Sequence, residues 1–195
     1  MAKSKIKGTV GPRWAKFCGW WLRKKGWTSD SGPMKEPKSI VLGVPHTSTK
    51  DFLICYLFYA QSGKLPHIMI KKEFFFWPMG PILRSLGAVP IDRSSNGAML
   101  RSLIYAMESV PEFHLAMAVE GTRKATRNWK SGYHLIAKET GAAVYLGYFD
   151  WGTKHIGCGE KFELTDDAKA DMQRIYDHYR PMGLQGYHKD QFIVP

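Results

Sequence analysis

Cysteine is scarce in this chain: only Cys18, Cys55 and Cys158 occur, and no two form a C-x-x-C pair. An odd count without that spacing argues against a disulfide framework and points to a reducing, cytoplasmic setting. Long apolar runs are missing as well. The longest, residues 52–60, falls far short of the ~20 residues that cross a bilayer. The N-terminus has neither the apolar core nor the small-residue cleavage site of a signal peptide. Acidic residues are few: 17 Asp plus Glu stand against 28 Lys plus Arg, a net charge of +11. That imbalance calls for anionic partners, namely phosphorylated substrates, nucleic acid or an acidic membrane surface. No RNA-recognition, helix-turn-helix or zinc-finger pattern accompanies the charge, so nucleic acid is not expected. His155-x-x-Cys158 lacks a second ligand pair, so no metal is expected either. There are no internal repeats or low-complexity tracts.

What is present suits one buried core. At 195 residues and 44% hydrophobic content, residues 1–195 read as a single domain, with 1–36 an amphipathic N-terminal segment and 181–195 a C-terminal tail. Short runs rich in β-formers recur at 39–44, 67–70, 88–91, 115–119 and 143–149, each a candidate buried strand. Helical patterns lie between them at 52–62, 78–86, 98–108 and 133–140, several closed by Gly63, Gly87 or Gly141. This alternation predicts an α/β layered domain with a largely parallel central sheet flanked by helices, whose ligands gather beyond the carboxyl ends of the strands. Thr165-Asp166-Asp167 opens a further amphipathic helix to about residue 180, with Ala168, Met172, Ile175, Tyr176 and Tyr179 as its apolar stripe. The tail carries turn residues, no clear period and no functional signal.

Residues 13–27 place Trp14, Phe17, Cys18 and Trp21 at helical spacing among Arg13, Lys16, Arg23, Lys24 and Lys25. Such a helix either lies in an anionic lipid interface or packs onto its own domain. The aromatic run Phe74-Phe75-Phe76-Trp77 has three readings: the lining of a groove for an apolar ligand, a lipid-facing surface, or core.

The chemistry concentrates after the first strand run. His46-Thr47-Ser48-Thr49-Lys50-Asp51 sets an imidazole and a carboxylate at H-x-x-x-x-D spacing. An imidazole takes a proton from a hydroxyl near neutral pH, provided its other nitrogen is held in one tautomer by a partner such as a carboxylate. Residues five apart lie about 140° round a continuous helix, so the pairing needs His46 in the loop and Asp51 in the helix's first turn. Ser48-x-x-Asp51 also reads as a capping box, which makes a helix cap the competing role for Asp51. Three more blocks follow: Lys71-Lys72-Glu73 leading to Pro78 and Gly80, then Gly87-Ala88-Val89-Pro90-Ile91-Asp92-Arg93, then Glu120-Gly121-Thr122-Arg123.

In this order, over about 39–159, the four blocks resemble the glycerol-phosphate and lysophosphatidic acid acyltransferase family. The resemblance implies an acyltransferase of phospholipid biosynthesis: a fatty acyl group would pass from acyl-CoA or acyl carrier protein to a hydroxyl of a glycerol-phosphate or lysophospholipid acceptor. It implies His46 and Asp51 as catalytic base and orienting acid, and Lys71, Arg93, Glu120, Gly121, Thr122 and Arg123 as substrate-binding residues. Arg93 and Arg123 would hold the acceptor's phosphate, a role that the planar donor fork of a guanidinium suits. No resident cofactor is implied, the acyl thioester being a co-substrate. A cytoplasmic protein at the inner face of the membrane, with peripheral contact to anionic lipid, fits the composition. Lys130 and Gly132 resemble a further segment, and Lys130 is a candidate contact for the carrier. Ser48 has no G-x-S-x-G elbow, so no serine nucleophile is expected.

The chain departs from the family pattern at Val119, Ala143 and Leu146, where many relatives carry proline. These departures leave acceptor and acyl-chain choice open. Two other functions remain at this point: an acyltransferase for a different acceptor, such as a non-glycerol lyso-lipid, and a noncatalytic anionic-lipid-binding protein.

Overall fold

Residues 39–42 are buried without alternation, and a strand buried on both faces needs a layer of cover on each. The computed structural model, which describes residues 7–29, 32, 34–92 and 95–195, supplies that cover. In chain order the elements are α1 (Pro12–Lys24), β1 (Thr28–Ser29), β2 (Lys38–Leu42), α2 (Lys50–Ala60), β3 (Ile68–Lys71), α3 (Met79–Ser85), β4 (Ala88–Ile91), α4 (Asn96–Glu108), β5 (Phe113–Met117), α5 (Gly132–Thr140), β6 (Ala143–Tyr145), β7 (Tyr148–Asp150), β8 (His155–Gly157), β9 (Lys161–Phe162) and α6 (Ala168–Tyr179). Ile40, Leu42 and Val44 enter one apolar cluster with residues of α4, α5 and α6. Val41 enters the other, with residues of α1 and α2. The domain is therefore α/β and layered, as the alternation of runs predicts.

The central sheet has the order β5-β2-β6-β9. Its first three strands are parallel, and β9 is antiparallel to β6. Two smaller sheets, β1-β8-β7 and β3-β4, join it through single parallel bridges at Val44↔Tyr148 and His67↔Leu115. His67 makes the second junction with its backbone, donating to His114 O at 2.7 Å and accepting from Ala116 N at 2.9 Å. Its Nδ1 also accepts the His114 backbone N–H at 3.1 Å. Burial pushes its imidazole down to about 4, so the ring stays neutral and keeps that acceptor.

One expected strand divides. Residues 143–149 form β6 and β7 in different sheets, with Leu146 and Gly147 between them. A Cβ on Gly147 would stand 2.3 Å from Val41 Cγ1. Only a glycine allows the chain to cross over β2 so closely and then run beside Val44.

The N-terminal helix also differs from the expected stripe. Ala15, Cys18, Gly19 and Leu22 form the buried face, at i, i+3, i+4 and i+7. Trp14, Phe17 and Trp20 are exposed. Small side chains let α1 and α2 approach closely, and the large aromatic rings are left outside. In α6 the buried stripe is Met172, Ile175 and Tyr179. Tyr179 Oη lies 3.0 Å from Leu42 O and 2.9 Å from Gly147 O, which ties the helix to the carboxyl ends of β2 and β6.

Candidate active site

The register Leu42↔Met117 brings the carboxyl ends of β2 and β5 side by side, so the loops that follow them emerge at one edge. His46 lies in the first loop and Asp51 in the first turn of α2. His46 Nδ1 is 3.2 Å from Asp51 Oδ2. That oxygen also accepts the backbone N–H groups of Thr47 at 2.8 Å and Ser48 at 2.7 Å. A carboxylate oxygen accepts and does not donate, so this arrangement puts the imidazole hydrogen on Nδ1 and leaves the Nε2 lone pair for a substrate. Asp51 is 2% exposed and His46 31% exposed as side chains. The carboxylate is thus buried among donors while the imidazole is open to a ligand.

The capping-box reading holds in part. Thr49 is the residue before the helix and makes no side-chain cap, while Ser48 Oγ accepts from Lys50 N at 3.2 Å. Asp51 does reach back to the Ser48 backbone, so the same carboxylate orders the turn and faces the histidine.

Glu120 enters the arrangement from the β5 side. Its Oε1 accepts the His46 backbone N–H at 2.7 Å. Its other oxygen, Oε2, is buried and has no partner among the described residues. Burial pushes the carboxyl up to about 7, so near neutral pH it is shared between its protonated and ionised forms. The residue pins the loop that carries His46.

A cavity of about 550 Å³ opens beside these groups. Its polar lining includes His46, Asp51, Thr122 and Arg123; its apolar lining includes Phe52, Cys55, Ile68, Met69, Met117 and Phe149. Such a lining suits a ligand with an anionic head and an apolar body. Gly121 turns the chain at φ +66°, and a Cβ there would meet Lys130 Cγ at 3.1 Å. The turn leaves Arg123 exposed at the cavity, while the Thr122 hydroxyl accepts Lys124 N at 3.2 Å. Lys71 ends β3 in an exposed position and is not part of the cavity lining. Its neighbour Lys72 pairs with Asp92 at 2.6 Å. Arg93 lies outside the described residues. Lys130 is exposed.

Cys55 faces the cavity, but burial pushes its thiol up to about 12. A thiol of that kind is almost wholly protonated near pH 7 and makes a poor nucleophile. Phe74, Phe76 and Trp77 are exposed, Trp77 at 84%, so the core reading of that run does not hold. Among the described residues no group of three or more His, Cys, Asp or Glu side chains is placed to hold a metal ion.

Sequence reasoning missed Trp151, whose Nε1 donates to Asp51 Oδ1 at 2.8 Å. Its position immediately after the last residue of β7, at a strand's carboxyl end, was the available signal.

The acyltransferase family profile matches residues 31–150. The glycerol-3-phosphate acyltransferase of Shewanella frigidimarina is 35% identical over 167 residues, covering 73% of this chain and 20% of the relative. The glycerol-3-phosphate acyltransferase of Glaesserella parasuis is 38% identical over 76 residues, 38% of this chain and 9% of the relative. The chain thus spans about a fifth or less of the length of these curated relatives. Among solved structures, the 1-acyl-sn-glycerophosphate acyltransferase of Thermotoga maritima has a similar fold, with a TM-score of 0.60 at 17% identity over 87% of this chain and 78% of that one.

Proposed function

The chain belongs to the acyltransferase family, and on that premise we propose that it moves a fatty acyl group from acyl-CoA or acyl carrier protein to a hydroxyl of a glycerol-phosphate or lysophospholipid acceptor. The observation that carries this reading is the His46–Asp51 pair at a cavity that also presents Arg123. His46 Nε2 takes the hydroxyl proton as the acceptor oxygen attacks the thioester carbonyl. Asp51 holds the imidazole in its tautomer and stabilises the imidazolium. The tetrahedral oxyanion then collapses, the C–S bond breaks, and the proton passes from His46 to the departing thiolate. Holding two substrates together supplies much of the rate.

Arg123 receives the acceptor's phosphate; Arg93 and Lys71 join it by the family resemblance alone. The test is a substrate panel with purified protein, using glycerol 3-phosphate, lysophosphatidic acid and an uncharged lyso-lipid with either acyl donor, read by lipid mass spectrometry. Arg123→Ala should raise the KM for phosphorylated acceptors about 10- to 100-fold, the scale of a lost charge-assisted hydrogen bond. An equal loss with an uncharged acceptor would remove the phosphate role. No acyl product from any pair would leave the noncatalytic lipid-binding function standing.

We place the protein at the cytoplasmic face of an anionic membrane, in peripheral contact through α1. Among the described residues no helix is long and apolar enough to cross a membrane. The exposed rings of Trp14, Phe17 and Trp20 follow one another, the first pair stacked at 5.1 Å and the second tilted at 5.8 Å, with Lys24 Nζ 4.9 Å over Trp20. Aromatic rings flanked by lysine suit the headgroup region of anionic bilayers. Phe17→Ser with Trp20→Ser should cut sedimentation with phosphatidylglycerol vesicles about tenfold or more at low salt. Undiminished sedimentation would assign the contact to another surface.

A further inference from the structure

The second oxygen of the candidate catalytic carboxylate is held from outside its own turn. Asp51 Oδ2 collects the imidazole and two backbone N–H groups, whereas Oδ1 receives the indole N–H of Trp151 at 2.8 Å. We propose that Trp151, clamped by the C-terminal strap of residues 185–188, is a positioning residue that fixes the plane of Asp51 against His46. This inference rests on the acyl-transfer reaction proposed above.

A buried carboxylate bound through one oxygen can still turn about its Cβ–Cγ bond. Pinning the other oxygen stops that rotation and holds Oδ2 on the histidine. Trp151 is itself held on several sides. Its ring meets Trp27 edge to face at 5.0 Å and Tyr187 at 4.8 Å, and its backbone N–H donates to Gln185 O at 2.9 Å. The preceding carboxylate, Asp150, accepts Gln185 N at 2.8 Å and Thr153 Oγ1 at 2.6 Å. Trp151 therefore cannot drift without disturbing the strap.

The strap then returns to the catalytic turn. His188 N donates to Thr47 Oγ1 at 3.2 Å, and Lys50 Nζ lies 4.0 Å over the Tyr187 ring and bonds its hydroxyl. Gly186 passes so close that a Cβ there would fall 2.5 Å from Thr47 Cγ2. Thr47 is one of the residues whose backbone N–H binds Asp51. The strap thus reaches Asp51 by two routes, through Trp151 to Oδ1 and through Thr47 to Oδ2.

Trp151→Phe removes the N–H donor together with the pyrrole half of the indole and leaves a six-membered aromatic ring beside Trp27 and Tyr187, so the split between kcat and KM, rather than stability, separates positioning from packing. With the acceptor that the wild type uses, kcat should fall about tenfold while the acceptor KM stays within about twofold. On an Asp51→Asn background the same substitution should have little further effect, since a residue acting through Asp51 has nothing left to act on. Wild-type kcat in Trp151→Phe, or a full tenfold loss added to that of Asp51→Asn, would overturn the proposal. Nitrogen NMR of the His46 ring, assigned by its loss in His46→Ala, reads the same coupling without turnover. An unchanged Nδ1 resonance in Trp151→Phe also overturns it. A wild type that is inactive across the panel strikes the proposed reaction instead, and the NMR result still decides the role of Trp151.

Discussion

Replacing His46 by alanine should lower kcat for acyl transfer by about 10³-fold, within the range that a positioned general base contributes, while the KM values for donor and acceptor change little. The hydroxyl is the difficult partner in the proposed reaction: unassisted at neutral pH it is a poor nucleophile, whereas the thiolate leaves readily. The base therefore carries much of the chemical burden. Among the described residues no neighbouring group stands ready to replace it. Cys55 at the same cavity has its thiol pushed up to about 12, Asp51 is 2% exposed, and Glu120 reaches the His46 backbone rather than the cavity lining. The residual rate in His46→Ala would report the contribution of holding two substrates together. A steady-state assay on the best donor–acceptor pair of the panel measures both parameters. Transfer by His46→Ala at the wild-type rate would mean that the proposed mechanism is wrong. A raised KM with unchanged kcat would instead make His46 a binding residue.

The layered fold was legible because β2 carries its signal locally: residues 39–42 are apolar or small and buried on both faces, and Gly141 ends α5 in the left-handed conformation at φ +65°. The meeting of the His46 and Glu120 loops was legible too, since parallel strands send their following loops to one edge. What these side chains do there was less visible. The Glu120 contact is to a backbone N–H, and a backbone donor leaves no trace in residue type. The sequence left open which face α1 turns to the domain because size, not polarity, decides it: Ala15 and Gly19 are small enough for a close helix pair, and Trp14 and Trp20 are not. The tail gave no period because its residues reach the site one at a time, through Gln185, Gly186, Tyr187 and His188, rather than along one face of a helix or strand. Trp151 escaped for a related reason: its partner lies 100 residues away in sequence, and no local pattern encodes that distance.

Asp51→Asn should be nearly as damaging as loss of the base, lowering kcat by about 10²- to 10⁴-fold, although the side chain has almost the same shape. Both carboxylate oxygens are acceptors: Oδ1 takes Trp151 Nε1, and Oδ2 takes His46 Nδ1 and the backbone N–H groups of Thr47 and Ser48. An amide has one acceptor and one donor end, so one set of these donors must face an N–H group. If the amide oxygen occupies the Oδ2 site, the imidazole keeps its tautomer, but the negative charge that stabilises the imidazolium is gone and the Trp151 N–H loses its acceptor. If the amide is turned the other way, its NH₂ faces the histidine and the backbone donors together, and the productive tautomer is lost. The first arrangement breaks fewer bonds and should dominate. Activity then falls through kcat, with the substrate KM values near wild type, because Asp51 reaches the reacting atoms only through His46. Restoring the carboxylate one methylene further out, in Asp51→Glu, should not rescue the rate, since a 2%-exposed site has little room for the longer side chain. Wild-type kcat in Asp51→Asn would show that the contact between Asp51 and His46 does no more than order the start of α2.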